Sequence, residues 1–375
     1  MKIGILTEII NYHSGARAPL EIAKHLAKRG HEISVYAYDF GQDRNALQDL
    51  KNYGVTVSMF NKQHFAFMEK YVAALSLFIT LRRNPPEAIL FSGTLPFFLA
   101  GKLTGIPIIW MYMGTQFNAL LENTIPNQGI SFIVKTLNAV VNVYIYLVGF
   151  IIYRLSAGLV AISKYAAHEG KHLYKRNANM VIYLGTAFFQ KHNTKTLRKK
   201  DYISLLSVSR ITPYKGFHLI IEAIKKIKTD RKIIFTISGS QPKQKYLAYL
   251  KKIGGKNIRI IIDPPDQELA RLYQNSDIYV TADRYLYFGL PIIEAAQFGK
   301  PTVSLNFAAS KEIIAHNKTG FIANNINEFS NYLQKLIEND SLRNALGRNA
   351  LQRSKEYTWE ICAKNWEIAL KRFAM

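Results

Sequence analysis

The chain alternates between short, unbroken apolar runs and longer stretches in which apolar residues recur every three or four positions. Residues 1–9 (MKIGILTEI) form the first run and predict a strand. Residues 18–29 set Leu20, Ala23, Leu26 and Ala27 at helical spacing, Gly30 stops the helix, and 31–38 (HEISVYAY) predict the next strand. Further strands are expected at 54–59, 88–91, 106–113, 159–162 and 180–183. The pattern then restarts, with a strand at 202–208, a helix at 219–226, and strands at 232–238, 258–262, 278–281 and 302–305. Strands alternating with helices imply an α/β protein whose parallel sheets are covered on both faces. Two series imply two domains, 1–193 and 200–358, separated by the polar, basic stretch 191–201 (KHNTKTLRKKD). A last helix around 359–375 is expected to pack back towards the N-terminal domain. The length of 375 residues agrees, because one hydrophobic core rarely serves so long a chain.

Two segments depart from this rhythm. Residues 130–153 are apolar enough to span a bilayer by length, yet Ser131, Lys135, Asn138, Asn142 and Gly149 fall on one helical stripe. A spanning helix has no reason to align a lysine and two asparagines, so a buried or interfacial helix is expected. Residues 65–81 are similarly apolar and end in Arg82-Arg83. Apolar surface beside cations suits an anionic bilayer, although ordinary packing on a sheet produces the same composition.

Composition adds three constraints. Hydrophobic residues make up 49% and charged residues 20%, as in a folded globular protein. With Cys362 as the single cysteine, neither an internal disulfide nor a Cys-based zinc site is available, which favours a reducing compartment. The N-terminal residues read as a strand rather than a signal peptide, because the apolar run is short and no small-residue cleavage site follows. The net charge is +23, spread over both halves: residues 1–196 carry 20 basic and 10 acidic side chains, residues 197–375 carry 29 and 16. Such a field attracts phosphates, anionic lipid and nucleic acid alike, and a solvated lysine-rich surface has the same signature.

Three segments carry candidate chemistry. Residues 288–296 (FGLPIIEAA) follow an expected strand; Gly289 lets the chain turn and Pro291 suits a first helical turn. The amides of that turn, near Gly289 and Leu290, would face a phosphate, and Glu294 lies one turn in, within reach of a ribose diol. Residues 207–216 (SVSRITPYKG) place Arg210 and Lys215 at the carboxyl end of a strand, where open α/β sheets bind ligands and where two cations can neutralise a diphosphate. Residues 11–17 (NYHSGAR) place Gly15 between the first strand and helix, without the G-x-G-x-x-G spacing of a dinucleotide fingerprint. Taken singly, these also read as a helix start, two solvated loop cations and a tight turn.

Their order is more specific. SGAR and GHE around the first helix, then VSRITPYKG, DQELARLYQNSDIYVTADR, FGLPIIEAAQFGKPTVS, NKTGFIA and the closing LRNALGRNALQRSKEYTWE together resemble the family 4 glycosyltransferases of the GT-B fold, over nearly the whole chain. The resemblance implies two Rossmann-like domains, a nucleotide-sugar donor as co-substrate, retention of anomeric configuration, and no bound metal or other cofactor. It implies that Arg210 and Lys215 bind the donor diphosphate and stabilise it as it leaves. Glu294 would hold the ribose; Gly289, Leu290, Gly239 and Gly15 would lie along the donor, with Gly15 near the phosphates or the acceptor. A glycan or lipid-linked acceptor at the cytoplasmic membrane face is the implied partner, with an anionic membrane surface and no nucleic acid.

Two departures touch the sugar end of that site. Leu286 stands where the family usually has a Glu eight residues before Glu294, with Asp283 or Tyr285 as candidate substitutes. Met113 and Gln116, in MGTQ, stand where HGTD is common. A second reading therefore remains: a catalytically degenerate relative that binds a sugar nucleotide or a partner glycosyltransferase.

Overall fold

A computed structural model of the chain describes residues 1–12, 14–39, 44–60, 69–126, 129–186, 201–240 and 242–374. Most of the expected 191–201 linker, the start of the expected 65–81 helix and His13 lie outside these residues. The chain forms two compact units, one of Met1–Thr115, Val143–Gly185 and Trp359–Met375, the other of Gln116–Asn142 and Thr186–Thr358. Residues 116–142 group with the C-terminal series.

The first unit is built on strands β1 (Lys2–Ile9), β2 (Glu32–Asp39), β3 (Thr56–Met59), β4 (Ala88–Ser92), β5 (Ile108–Tyr112), β6 (Gly158–Ala161) and β7 (Met180–Val181). They form one parallel sheet in the order β3-β2-β1-β4-β5-β6-β7, with Lys2 opposite Glu32 and Ile3 opposite Ala88 at its centre. The central strands bury both faces, Ile3, Ile5 and Leu6 on β1 and Ile89, Leu90 and Phe91 on β4, which is why they read as continuous apolar runs. The last expected strand shrinks to the two residues of β7. Helix Trp359–Ala374 packs on helix Arg17–Lys28 in the same unit, burying Trp359 and Trp366 completely. The Arg29–Glu367 ion pair, at 2.6 Å, ties the two, and His25 Nε2 lies 3.2 Å from Glu360 Oε1.

The second unit repeats the design with strands β8 (Tyr202–Val208), β9 (Lys232–Gly239), β10 (Ile258–Ile262), β11 (Ile278–Thr281), β12 (Thr302–Leu305) and β13 (Gly320–Ala323). The order is β10-β9-β8-β11-β12-β13, again all parallel. Strand β13, four residues long, was not among the expected strands and takes its place by pairing with β12. The core on one side of this sheet joins Phe217, Ile220 and Ile221 of helix Phe217–Lys225 to Phe329, Leu333 and Leu336 of helix Ile326–Glu338.

Of the two expectations for helix Phe132–Leu155, buried or interfacial, burial does not hold along most of its length. Of its polar stripe, Asn138, Asn142 and Gly149 are turned to protein, while Ser131 and Lys135 are exposed. Asn138 is 3% exposed and donates to Asn118 Oδ1 at 2.9 Å, Asn142 does the same, and a Cβ at Gly149 would meet the Tyr174 hydroxyl at 2.1 Å. Much of its apolar surface is left exposed, including Ile133, Leu137, Val140, Tyr144 and Leu147. By length and composition this helix is apolar enough to cross a membrane.

Candidate active site

Strand order reverses between β1 and β4 in the first unit and between β8 and β11 in the second. Loops leaving the carboxyl ends of two such strands run in opposite directions and leave a crevice, the usual ligand site of an open parallel sheet. In the second unit the loop after β8 carries Arg210 and Lys215, and the loop after β11 runs from Ala282 through Asp283 and Leu286 to Gly289.

These loops are held together tightly. Gly216 has φ 71°, a conformation that L side chains rarely adopt, and a Cβ there would stand 2.5 Å from the Ala282 carbonyl oxygen. Lys215 Nζ lies 2.5 Å from Asp283 Oδ2, and Arg284 N–H donates to the Tyr214 carbonyl at 3.2 Å. On the far side of the β8 loop, Ser209 N–H bonds Ser238 O and Ile211 N–H bonds Ser240 O, each at 3.0 Å. Gly239 sits between those bonds, where a Cβ would fall 1.7 Å from Ser209 O. The backbone contact itself requires glycine at this position.

The cations flank one ring. The Arg210 guanidinium carbon lies 5.8 Å and Lys215 Nζ 5.2 Å from the centroid of Tyr214, which in turn packs edge-on against Tyr285 at 5.4 Å. Arg210 Nε is buried with no hydrogen-bond partner among the described residues. A buried guanidinium N–H without an acceptor is costly unless a ligand supplies one. Lys215, by contrast, is shared with Asp283. The other oxygen of Asp283 accepts from Tyr285 N–H at 3.0 Å, so this carboxylate is occupied in orienting the lysine and the loop. Tyr285 donates its hydroxyl to the Phe117 carbonyl. Neither expected substitute for the missing Glu therefore has its polar group idle. Leu286 itself is 5% exposed, with Cδ1 3.0 Å from where a Cβ on Gly289 would stand.

Gly289 takes φ 89° and ψ 54° as the residue before helix Leu290–Gln297, and Pro291 occupies the first turn. The first amides of a helix have no partner within it, so Gly289 and Leu290 present a locally positive terminus. Glu294 is buried at 7% exposure and accepts a hydrogen bond from the Tyr273 hydroxyl at 2.7 Å. Burial pushes the Tyr279 phenol up in pKa, and the neighbouring carboxylates of Glu294 and Asp283 push it the same way. Tyr279 also bonds the Val208 backbone, and so joins the floor of the site to the end of β8. Tyr214, Tyr273 and Tyr279 were legible only as aromatic residues near the motifs; nothing in their spacing assigns them these contacts.

Gly15 belongs to the first unit, in the turn Ser14–Ala16 after β1. It is exposed, and a Cβ there would meet only Met113, at 3.7 Å. The glycine and the methionine singled out separately along the sequence are thus neighbours. Among the described residues, no group of three or more His, Cys, Asp or Glu side chains is placed to hold a metal ion.

Residues 15–186 match the family model for Glycosyltransferase Family 4, and residues 188–353 match that for Glycosyl transferases group 1. The chain belongs to the family 4 glycosyltransferases. An uncharacterized glycosyltransferase of Methanocaldococcus jannaschii is 28% identical over 207 residues, covering 54% of this chain and 56% of that protein. A probable sucrose-phosphate synthase of Thermosipho melanesiensis is 26% identical over 245 residues, covering 57% and 56%. The chain thus spans about half the length of these curated relatives. The crystal structure of Anabaena HepE with UDP and glucose superposes with a TM-score of 0.77 over 99% of this chain and 100% of that one, at 18% identity. At that identity the superposition establishes the GT-B fold of this chain.

Proposed function

We propose that the chain transfers a sugar from a nucleotide-sugar donor, with retention and without a bound metal, to a glycan or lipid-linked acceptor at the cytoplasmic face of a membrane. The observation that carries this reading is the buried Arg210 guanidinium N–H with no acceptor among the described residues, next to Lys215 at the β8–β11 crossover. Breaking a sugar–phosphate bond places growing negative charge on the leaving diphosphate, and preorganised cations and amides lower that barrier most. Arg210 supplies a donor whose desolvation cost the fold already bears, Lys215 a second cation, and the Gly289–Leu290 amides a third contact. Glu294 receives the ribose. A UDP-sugar is the first donor to test, since HepE was crystallised with UDP and glucose.

The experiment is a thermal-shift screen of UDP-, GDP- and ADP-sugars against the full chain. A ligand at about 100 times its Kd adds about 2.7 kcal/mol to apparent stability. One donor should raise the midpoint, and Arg210→Ala should lose the shift. No shift with any nucleotide sugar would remove the reading. The buried Leu286 at the sugar end favours one alternative, a sugar-nucleotide-binding relative without turnover. A donor that binds but is neither transferred nor hydrolysed, with any lipid-linked or glycan acceptor, would select it.

A further inference from the structure

Helix Phe132–Leu155 is turned inside out relative to an ordinary surface helix. Ile133, Leu137, Val140, Tyr144, Leu147 and Ile151 recur at alternating spacings of four and three, so they form one continuous stripe, and all six are exposed. Ile133 is 75% and Tyr144 65% exposed. The opposite stripe carries the polar residues, and it is anchored to protein through Asn118 and Tyr174. Polar residues directed inward and apolar residues outward are stable only if the outer face meets something apolar.

Three observations choose among occupants. The helix contains no acidic residue, Lys135 and Arg154 sit towards its two ends, and the chain carries +23. A second copy of so basic a chain would bring like charges together, whereas an anionic surface attracts them. The apolar face is also wider than a helix–helix seam. The positions beside the stripe are Val134, Thr136, Val141 and Val143, where a coiled coil places charged residues. Finally, the helix is not free on all sides. Asn138 and Ile152 are each 3% exposed, so one side of the helix is committed to protein at both ends.

We propose that helix Phe132–Leu155 lies in the plane of an anionic lipid bilayer, its exposed stripe sunk to the headgroup–acyl boundary and Arg154, beside that stripe, at the headgroups. The stripe runs for about 27 Å at 1.5 Å per residue, a length suited to lying along an interface. Helix Glu69–Arg83 repeats the pattern in the first unit, exposing Tyr71, Leu75 and Ile79 ahead of Arg82-Arg83. The proposal rests on the membrane-face part of the function above and is independent of the donor chemistry.

The test floats the full chain with vesicles of phosphatidylglycerol and phosphatidylcholine in equal parts, and with phosphatidylcholine alone. The wild type should rise with the anionic vesicles, and Val140→Glu/Leu147→Glu should bind them at least about tenfold more weakly. Ile368→Glu, a charge on an exposed apolar position of another helix, should bind as wild type. Retention of the nucleotide-sugar thermal shift shows that the double variant is folded and separates this failure from failure of the donor site. Tyr144→Trp supplies a readout that needs no disruption, expecting a blue-shifted emission quenched by brominated lipid. The proposal is overturned if the wild type ignores anionic vesicles, if the double variant binds them undiminished, or if the stripe instead mediates a dimer that the double variant dissolves.

Discussion

The sheet of the first unit and the sheet of the second reverse strand order in the same way, yet the two units keep their charges at different depths. In the second, Arg210 and Lys215 stand in a loop at the crossover, one with an unpartnered N–H among the described residues and the other held by a single carboxylate. In the first, a buried cation on helix Arg17–Lys28 belongs to the frame. Lys24 is 1% exposed and bonded to Glu21 at 2.9 Å and Asp49 at 2.8 Å, with its ammonium 4.7 Å from the Tyr12 ring. Tyr12 donates its hydroxyl to Asp49, so this network fixes the start of the turn that carries Gly15. A buried cation with a full set of partners holds a shape; one with a spare donor is suited to receive an anion.

Exchanging stability for activity is the sharpest way to break that comparison. Lys24→Met removes the buried cation that Glu21 and Asp49 share, leaving Glu21 to Arg17 and Asp49 to Tyr12, and should cost about 2–3 kcal/mol in urea unfolding. Arg210→Ala should leave unfolding unchanged and lower turnover at least about a hundredfold. If Arg210→Ala unfolds the chain, or Lys24→Met does not weaken it, the assignment of frame and site is reversed.

The glycines extend the contrast. Gly239→Ala drives a methyl into the Ser209 carbonyl and should cost about 2–4 kcal/mol. Gly15→Ala meets only Met113 and should be neutral in stability, so any loss of transfer in that variant reports on a ligand rather than on folding. Leu286→Glu buries a carboxylate beside Gly289, in the loop that already holds Asp283; it should lower stability by about 2–3 kcal/mol and not raise activity. Wild-type stability with faster turnover would show instead that this loop accepts a carboxylate at position 286.

The smallest effect is a pH dependence confined to the second unit. Burial, with a smaller push from Arg284, lowers His218 from 6.5 to about 4 while its Nδ1 lies 2.9 Å from the Tyr246 hydroxyl. The unfolded chain therefore takes up this proton at a higher pH than the folded one. The contribution is complete above pH 6.5 and is lost as pH falls towards 4, on the order of 1–2 kcal/mol once partial exposure is discounted. Unfolding midpoints measured across that window should flatten in His218→Gln.

Much of the architecture could be read along the chain because buried parallel strands leave an unmistakable mark. Strands 202–208 and 278–281 are apolar on both faces and reappear as β8 and β11 at the stated residues. Strand β13 and helix Leu95–Lys102 were not anticipated; LPFFLAGK is apolar on nearly every side and so shows no amphipathic face. At the site, the cationic turn and the helix tip were visible as residue types in order. That Asp283 would be taken by Lys215, Tyr285 by Phe117 and Glu294 by Tyr273 was not, because each partner lies far away in sequence.

What the linear order of residues determined by itself was the class of fold, the two-part organisation and the set of groups available to meet a diphosphate. Those follow from local periodicity, and from glycine and proline acting on their own backbone. Tertiary structure alone decided which polar groups were already spent on one another, and which way the 132–155 helix faces. Asn138 and Asn142 look solvent-facing beside so many valines and leucines; a single distant Asn118 makes them the inner side and turns the apolar stripe outward.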